Sequence, residues 1–125
     1  MTVSLVIGGT GTIGSEVALY LARQRHTVLL LSHSAEKSAK VIHSITQQTG
    51  NTDIHAIQAD FTNLETLVGL EKHVSSLCNG AGVNILVNCA ISCDTESSVT
   101  QDGLEVHWAI NVVGPLYTIV ACHPL

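Results

Sequence analysis

Four glycines lie close together near the amino terminus, between a short apolar run and a segment with helical periodicity. They fall in the sequence Gly8-Gly9-Thr10-Gly11-Thr12-Ile13-Gly14, where positions 9, 11 and 14 satisfy G-x-G-x-x-G and positions 8, 11 and 14 satisfy G-x-x-G-x-x-G. In such a loop one glycine permits a tight turn, one lets the backbone approach a pyrophosphate, and one lets helix and strand pack closely. Because the free N–H groups and the dipole of a helix amino terminus favour anions, residues 8–14 are predicted to bind the phosphates of a dinucleotide. The alternative is a strand–helix turn without a ligand.

The position that commonly binds the adenosine ribose carries hydroxyls and a histidine instead of a carboxylate. In dinucleotide folds an Asp or Glu about 20 residues after the glycines often binds the 2′-hydroxyl of NAD. Here Leu31 is followed by Ser32 and His33, and Lys37 is nearby. A 2′-phosphate is repelled by a carboxylate and tolerated by these side chains, so NADP is predicted as the preferred cofactor and NAD as a possible one. The alternative is that Ser32 and His33 only begin a helix.

The histidines and cysteines do not have the spacing of a metal site. Seven histidines are scattered along the chain without an i, i+4 pair on a predicted helix. The four cysteines include no C-x-x-C pair, and without a secretory signal they are expected to be reduced thiols. No metal is therefore predicted.

Composition and charge exclude several classes of protein. Apolar residues make up 46% of the 125-residue chain and charged residues 12%, which argues against disorder. A net charge of −5 without clustered Lys and Arg argues against a nucleic-acid partner. No apolar run approaches the roughly 18 residues that span a bilayer. The amino terminus also lacks the basic region of a signal peptide, so a cytoplasmic location is predicted.

The elements that must position these residues alternate between strands and helices. β-Rich runs predict strands over 3–7, 27–31, 53–59 and 83–87. Helical periodicity predicts one helix beginning near Ile13, one between an N-cap at Ser34 and Gly50, one over 63–77, and one from about Thr100 towards Cys122. Strands separated by helices form a parallel sheet with right-handed crossovers. The predicted fold class is therefore α/β: a single, partial Rossmann-like domain over residues 1–125, with a doubly wound sheet of about four strands in the order 3-2-1-4 and helices on both faces.

The fourth predicted strand would lie at an edge of this sheet. Edge strands are normally short, charged or covered, yet Val83-Asn84-Ile85-Leu86-Val87 is apolar. We therefore expect that the domain is truncated at its carboxyl terminus or that the chain self-associates through this edge.

Across nearly its whole length the chain resembles the short-chain dehydrogenase/reductase family. The glycine loop is similar to the family's T-G-x-x-x-G-x-G, with Ile7 in place of the Thr and Thr12 in place of the middle Gly. It is nearer to the T-G-x-x-G-x-x-G of the family's extended members. Three further segments carry the resemblance: Gln58-Ala59-Asp60-Phe61, Asn88-Cys89-Ala90-Ile91, and Asp102-Gly103-Leu104-Glu105 followed by Asn111.

The resemblance implies roles for residues in each of these segments. Asp60, with Phe61 beside it, would meet the adenine. Asn88, Cys89 and Ala90 would lie beside the ribose on the nicotinamide side, although a small buried thiol is the usual explanation of such a cysteine. The resemblance makes Asn111 a member of the family's catalytic tetrad.

The resemblance also implies an activity for a complete form of the protein. That activity is an NAD(P)-dependent oxidoreductase reaction, with hydride transfer between NADP(H) and a small carbonyl or alcohol substrate. The family's catalytic Ser and its Tyr-x-x-x-Lys pair lie downstream of Asn111, and neither Tyr20 nor Tyr117 has a Lys four residues later. The 125-residue chain is therefore predicted to be inactive by itself.

Two alternatives stay open at this point. One is a non-catalytic NADP-sensing or interaction module, which the absent Tyr-x-x-x-Lys pair favours. The other is a deazaflavin-dependent NADP reductase, because the run I-G-G-T-G-x-I-G followed by a Ser at the end of the second strand is also similar to that family. The region around Asn111 fits the deazaflavin family poorly.

Overall fold

Strands and helices alternate along the chain in the predicted order. The computed structural model describes residues 1–93 and 95–123. The strands are β1 (Val3–Ile7), β2 (Thr27–Ser32), β3 (Ile54–Gln58) and β4 (Ile85–Asn88). The helices are α1 (Thr12–Arg23), α2 (Ala35–Thr49), a 3-10 helix (Leu64–Leu67), α3 (Leu70–Leu77), α4 (Val106–Trp108), a π-helical turn (Ala109–Val113) and α5 (Gly114–Cys122).

The four strands form one parallel sheet in the order β3-β2-β1-β4, which confirms the predicted fold class. Ile7 at the end of β1 pairs with Leu31 of β2 on one side and with Asn88 of β4 on the other. Because the strands are parallel and in register, their carboxyl ends and the loops that follow them meet at one edge of the sheet. Chain order reverses at β1, and in open α/β sheets such a reversal marks the usual ligand crevice.

Alternate residues of the two central strands are buried on opposite faces of the sheet. Leu5 and Leu29 pack on one face with residues of α3, and Val6 and Leu30 pack on the other with residues of α1 and α2. Every residue of β1 and β2 is buried, as expected for central parallel strands with both faces covered. Since burying one Leu or Val contributes about 1.5–3 kcal/mol, burial of these two strands is a large stabilising contribution to the sheet.

The second helix begins and ends where the sequence predicts. The Ser34 hydroxyl accepts a hydrogen bond from the Lys37 amide at 3.2 Å, and Gly50 ends the helix with a left-handed φ of 72°. The predicted third helix over 63–77 is wrong in one respect, because it is divided in two. Val68 is extended and Gly69 has a φ of 79°, so the 3-10 helix stops before α3 starts.

Two later boundaries also differ from the prediction. The fourth strand covers Ile85–Asn88 rather than 83–87. Before it, the Asn84 side chain accepts a hydrogen bond from the Val3 amide at 2.8 Å and takes the place of a ladder bond. The last helical segment begins at Val106 and not near Thr100, because Val99 and Glu105 form an antiparallel bridge that keeps the residues between them in a turn. None of the helices formed by the described residues is long and apolar enough to cross a membrane.

Candidate functional site

A cavity of about 720 Å³ lies at the carboxyl edge of the sheet, within the size range of small-molecule and cofactor sites. Four parts of the chain line it: the glycine loop with the start of α1, the ends of β2 and β3 with the residues that follow them, the loop after β4, and the π-helical turn. The lining residues are 7, 8, 10–14, 31–33, 37, 59–62, 89–92 and 110. The structure thus brings together most of the predicted site residues, and it leaves Gly9, Asn88 and Asn111 out of the cavity wall.

Two glycines of the loop are required by the protein's own packing. Gly8 has a φ of 74°, and a Cβ there would lie 2.9 Å from the backbone nitrogen of Ala90. A Cβ on Gly14 would lie 2.0 Å from the carbonyl oxygen of Gly8, so only glycine lets α1 sit this close to the end of β1. Gly9 lies against the Leu30 side chain, which explains its absence from the cavity wall.

Gly11 is different, because the protein around it leaves room for a side chain. A Cβ there would meet only the Gly8 carbonyl oxygen, at an ordinary distance of 3.5 Å. Gly11 is the N-cap of α1, and no side chain caps this helix or places an acidic group in its first turn. The amino terminus of α1 therefore presents N–H groups and a positive dipole end to the cavity, which suits an anion.

Ser32 is buried between the glycine loop and the start of α2. It is 5% exposed, its hydroxyl shares a hydrogen bond of 3.1 Å with the Thr10 hydroxyl, and it accepts a second one from the Ser34 amide at 3.2 Å. Its hydroxyl thus ties the glycine loop to α2. His33 and Lys37 are both exposed and line the cavity, and Lys37 forms no ion pair with any described residue.

Asp60 is held rigidly at the far end of the cavity. Its Oδ1 accepts hydrogen bonds from the Thr62 amide at 2.9 Å and from the Thr62 hydroxyl at 2.7 Å. Its own amide donates to the Thr66 hydroxyl at 2.8 Å. No hydrogen bond from the described residues reaches Oδ2, which leaves that oxygen available to a ligand. Phe61 beside it is buried and packs against Gly114, where a Cβ would lie 2.2 Å from the ring.

The loop after β4 forms the opposite wall. The Cys89 amide donates to the Ile7 carbonyl at 2.9 Å, which continues the pairing of β4 with β1. The Asn88 side chain accepts a hydrogen bond from the Ala90 amide at 3.1 Å, and Asn88 does not line the cavity. Asn88 thus shapes the turn that brings Cys89 and Ala90 to the cavity.

Asn111 holds this loop from the other side. Its Nδ2 donates to the Ser92 carbonyl at 2.9 Å, and its Oδ1 accepts from the Ser92 amide at 2.7 Å. Asn111 lies in the π-helical turn, a distortion that often marks functional positions in helices. The neighbouring Ile110, rather than Asn111, lines the cavity.

The D-G-x-E segment anchors the helix that carries Asn111. Asp102 accepts a hydrogen bond from the Leu64 amide at 2.8 Å, which ties this segment to the 3-10 helix. Glu105 caps α4 by accepting from the Trp108 amide at 3.0 Å, and it is hydrogen-bonded to His107 at 2.6 Å. The bond to His107, followed by the one from the Trp108 amide, lowers the pKa of the Glu105 carboxyl to about 2.

Eight residues of the cavity wall were not among the predicted site residues: Ile7, Leu31, Lys37, Ala59, Thr62, Ile91, Ser92 and Ile110. In the sequence, Lys37 stands out only because it is near Ser32 and His33. Ile91 stands out only because it belongs to the Asn88 motif. Thr62 and Ser92 lie in the loops that follow the predicted strands 53–59 and 83–87, and that position is the signal that could have identified them. Ile110 carries no such signal, because its placement depends on the π-helical turn. Among the described residues no group of three His, Cys, Asp or Glu side chains could hold a metal ion.

A family model described as short chain dehydrogenase matches residues 2–125. Polyprenol dehydrogenase of Mus musculus is 29% identical over 112 residues, which are 90% of this chain and 33% of that protein. Retinol dehydrogenase 13 of Mus musculus is 28% identical over 88% of this chain and 32% of its own length. The chain thus spans about a third of the length of the curated relatives it matches.

Solved structures show the same fold. The Pseudomonas aeruginosa RhlG/NADP active-site complex is 26% identical with a TM-score of 0.78, over 99% of this chain and 46% of that one. A short-chain dehydrogenase from Sphingobium yanoikuyae in complex with NADPH has a TM-score of 0.79 at 22% identity, over 98% of this chain and 47% of that one.

Proposed function

Because the chain belongs to the short-chain dehydrogenase family, we propose that it forms the NAD(P)-binding part of an oxidoreductase. When bound, the cofactor would supply or accept a hydride, and the proposed substrate of a complete form is a carbonyl compound or an alcohol. The observation that carries this proposal is the uncapped amino terminus of α1, whose residues 11–14 line the cavity at the carboxyl edge of the sheet. Family membership favours this function over the deazaflavin-dependent reductase.

The pyrophosphate would lie on the first turn of α1, next to Gly11. The protein's packing does not require glycine at this position, since a Cβ would make only one ordinary contact. Glycine at this position is then explained by a ligand that closely approaches the backbone. Gly8 and Gly14 would act by keeping the strand, the loop and the helix in place around this anion site.

The adenosine part would bind over the ends of β2 and β3. Lys37 and His33 line this part of the cavity and are exposed, so both can reach a 2′-phosphate, and no carboxylate from the end of β2 would repel it. Oδ2 of Asp60 could accept a hydrogen bond from the adenine amino group. These features support NADP as the preferred cofactor, as does the relative from Pseudomonas aeruginosa whose structure was solved with NADP. Ser32 would act indirectly, because its hydroxyl is engaged by Thr10 and Ser34.

The nicotinamide part would bind beside the loop after β4, against Cys89 and Ala90. Asn111 would act here as a positioning residue, because both of its side-chain hydrogen bonds fix the backbone of Ser92. The 125 residues contain no Tyr-x-x-x-Lys pair to protonate and deprotonate a substrate oxygen. We therefore propose that this chain binds the cofactor as a single domain but does not turn over a substrate by itself. A non-catalytic NADP-sensing module is the alternative.

Substitution of Gly11 by Asp separates ligand binding from folding. Asp is a favourable N-cap, so Gly11→Asp should leave the melting temperature unchanged or raise it. The same carboxylate would repel a pyrophosphate, and we expect NADPH binding measured by calorimetry to fall by at least about tenfold. Gly82→Asp is the matched control, because Gly82 is exposed, has no atom within 4 Å of its Cβ position and lies outside the cavity.

The outcomes test where the dinucleotide binds and whether the chain turns over a substrate by itself. Equal NADPH affinity in Gly11→Asp and in the unsubstituted chain would show that the dinucleotide does not bind at α1. Oxidation of NADPH with a panel of carbonyl compounds, at a rate above that of Gly11→Asp, would contradict the proposed lack of turnover. Binding without turnover is expected.

A further inference from the structure

The part of the cavity next to β4 is apolar, in contrast to the part next to β2 and β3. Six residues of its wall come from the start of α1, the loop after β4 and the π-helical turn, and none of them carries a charge. They are Ile13, Cys89, Ala90, Ile91, Ser92 and Ile110. Two of these side chains, Ile13 and Ile91, are 72% and 76% exposed, so most of their apolar surface faces solvent.

Ile91 is exposed although its backbone is held on both sides. The preceding residue donates its amide to the Asn88 side chain, and the following residue is fixed at both its amide and its carbonyl by Asn111. A β-branched side chain also has few χ1 rotamers. The loop therefore cannot easily turn Ile91 into the core, and the side chain stays at the wall of the cavity as an apolar surface.

We propose that Ile91 is a specificity-determining residue, which covers the nicotinamide ring of a bound dinucleotide and makes the chain prefer the complete dinucleotide to the same molecule without that ring. This inference rests on the proposed function. A ligand that extends from the α1 amino terminus past Ala90 would remove water from the exposed face of Ile91. Burial of this apolar surface favours binding and is available only to a ligand long enough to reach the β4 side.

Two probes that differ by the nicotinamide ring test this proposal. NADPH carries both halves, and 2′-phospho-ADP-ribose carries the adenosine, its 2′-phosphate, the pyrophosphate and the second ribose without the nicotinamide ring. We expect Ile91→Ala to weaken NADPH binding by about fivefold, as for burial of roughly half an isoleucine side chain, and to leave the affinity for 2′-phospho-ADP-ribose unchanged. Ile91→Leu should restore most of the NADPH affinity, because it returns an apolar side chain of the same volume.

Ile119→Ala is the matched control. Ile119 is also an exposed isoleucine, but it lies in α5 and does not line the cavity. It should change neither affinity. Thermal melts of all variants should coincide with that of the unsubstituted chain within about 2 °C, since substitutions of exposed side chains change stability little.

Any other result contradicts either the role of Ile91 or the proposed function. An equal loss for both probes in Ile91→Ala would mean that Ile91 only maintains the loop. Unchanged or tighter NADPH binding would mean that the side chain does not cover the nicotinamide ring. Either result overturns the role of Ile91 and leaves the proposed function standing as long as the unsubstituted chain binds 2′-phospho-ADP-ribose. Failure of the unsubstituted chain to bind either probe would overturn the proposed function itself.

Discussion

The half of the sheet on the β2–β3 side of β1 and the half on the β4 side are built differently. On the first side the cavity wall carries His33, Lys37 and Asp60, and the outer strand β3 contains His55 and Gln58. On the second side the cavity wall is apolar and the outer strand β4 reads Ile-Leu-Val-Asn. The first side offers groups that can bind a phosphate and a base by charge and hydrogen bonds. The second side offers surface that gains free energy only when something covers it.

The two outer strands should differ most clearly in self-association. Ile85 at the start of β4 is 37% exposed, and the described residues pair only one edge of this strand, through β1. An open edge with apolar side chains favours pairing with a second copy, so we expect the purified chain to self-associate at micromolar concentration. Sedimentation velocity of Ile85→Lys should show at least about tenfold weaker association, because an edge Lys opposes strand addition.

The matching substitution on the other outer strand is His55→Lys in β3. His55 is hydrogen-bonded to Asp53, and a Lys there can keep an interaction with the same carboxylate. It should not change the association. A monodisperse monomer with a cooperative melt above about 55 °C would show that neither edge needs a partner.

Discrimination between NADPH and NADH should depend only on the β2–β3 side of the cavity. Lys37→Ala removes the exposed ammonium that lines the cavity, and we expect a five- to tenfold loss of NADPH affinity, about 1 kcal/mol, with little change for NADH. Lys40→Ala is the control, because Lys40 lies one turn further along α2 and pairs with Glu36 outside the cavity. Calorimetry with both cofactors measures the ratio, and equal losses for NADPH and NADH would contradict a 2′-phosphate site at Lys37.

Introducing Asp at Ser32 is the obvious substitution from the sequence, and the structure shows why Lys37 is the better position. Ser32 is buried and holds both Thr10 and the Ser34 amide, so a carboxylate there would disturb the glycine loop itself. Reduced binding of both cofactors by Ser32→Asp would therefore not show whether position 32 recognises the adenosine ribose.

The two sides also differ in how well the sequence predicts them. Ser32, His33 and Asp60 directly follow strands whose apolar patterns are strong, so their arrival at one edge follows from parallel pairing alone. On the β4 side, the sequence does not report the short-range bond that the Asn88 side chain accepts from the Ala90 amide. The positions of Asn111 and Ile110 depend on a π-helical turn and on the contact between Asn111 and Ser92, which are 19 residues apart. No residue pattern in the sequence indicates the turn or the contact.

The helix boundaries follow the same division. The cap at Ser34 and the end at Gly50 are local signals, and both are confirmed. No local signal sets the start of the last helix. It is set by the bridge between Val99 and Glu105 and by the bond from Leu64 to Asp102, which joins segments 38 residues apart. Hydrophobic periodicity cannot show such a tie, and it extends the predicted helix into the turn before Val106.

The smallest effect that we predict is an acid sensitivity of the segment that supports the apolar side. The pKa of the Glu105 carboxyl is lowered to about 2 from an ordinary value of 4.5, first by its hydrogen bond with His107 and then by the one from the Trp108 amide. A carboxyl whose pKa is lower in the folded state stabilises the fold above its unfolded pKa, and this stabilisation is lost as pH falls from about 4.5 towards 2. Glu105→Gln keeps an N-cap acceptor but not the charge. The melting temperature of this variant at pH 7 should therefore be lower than that of the unsubstituted chain by roughly a few degrees, and the difference should shrink towards pH 3.

Asp53 also has a lowered pKa, through hydrogen bonds with Thr27 and His55, and lies on the β2–β3 side. Asp53→Asn is therefore the matched comparison. NADPH affinity distinguishes the two sides, because loss of the Glu105 charge should loosen the helix that holds Ser92. We therefore expect Glu105→Gln to weaken binding of the complete dinucleotide more than binding of 2′-phospho-ADP-ribose. If Glu105→Gln lowers both affinities equally, or if its melting temperature follows that of the unsubstituted chain at every pH, the Glu105 cap does not support the apolar side.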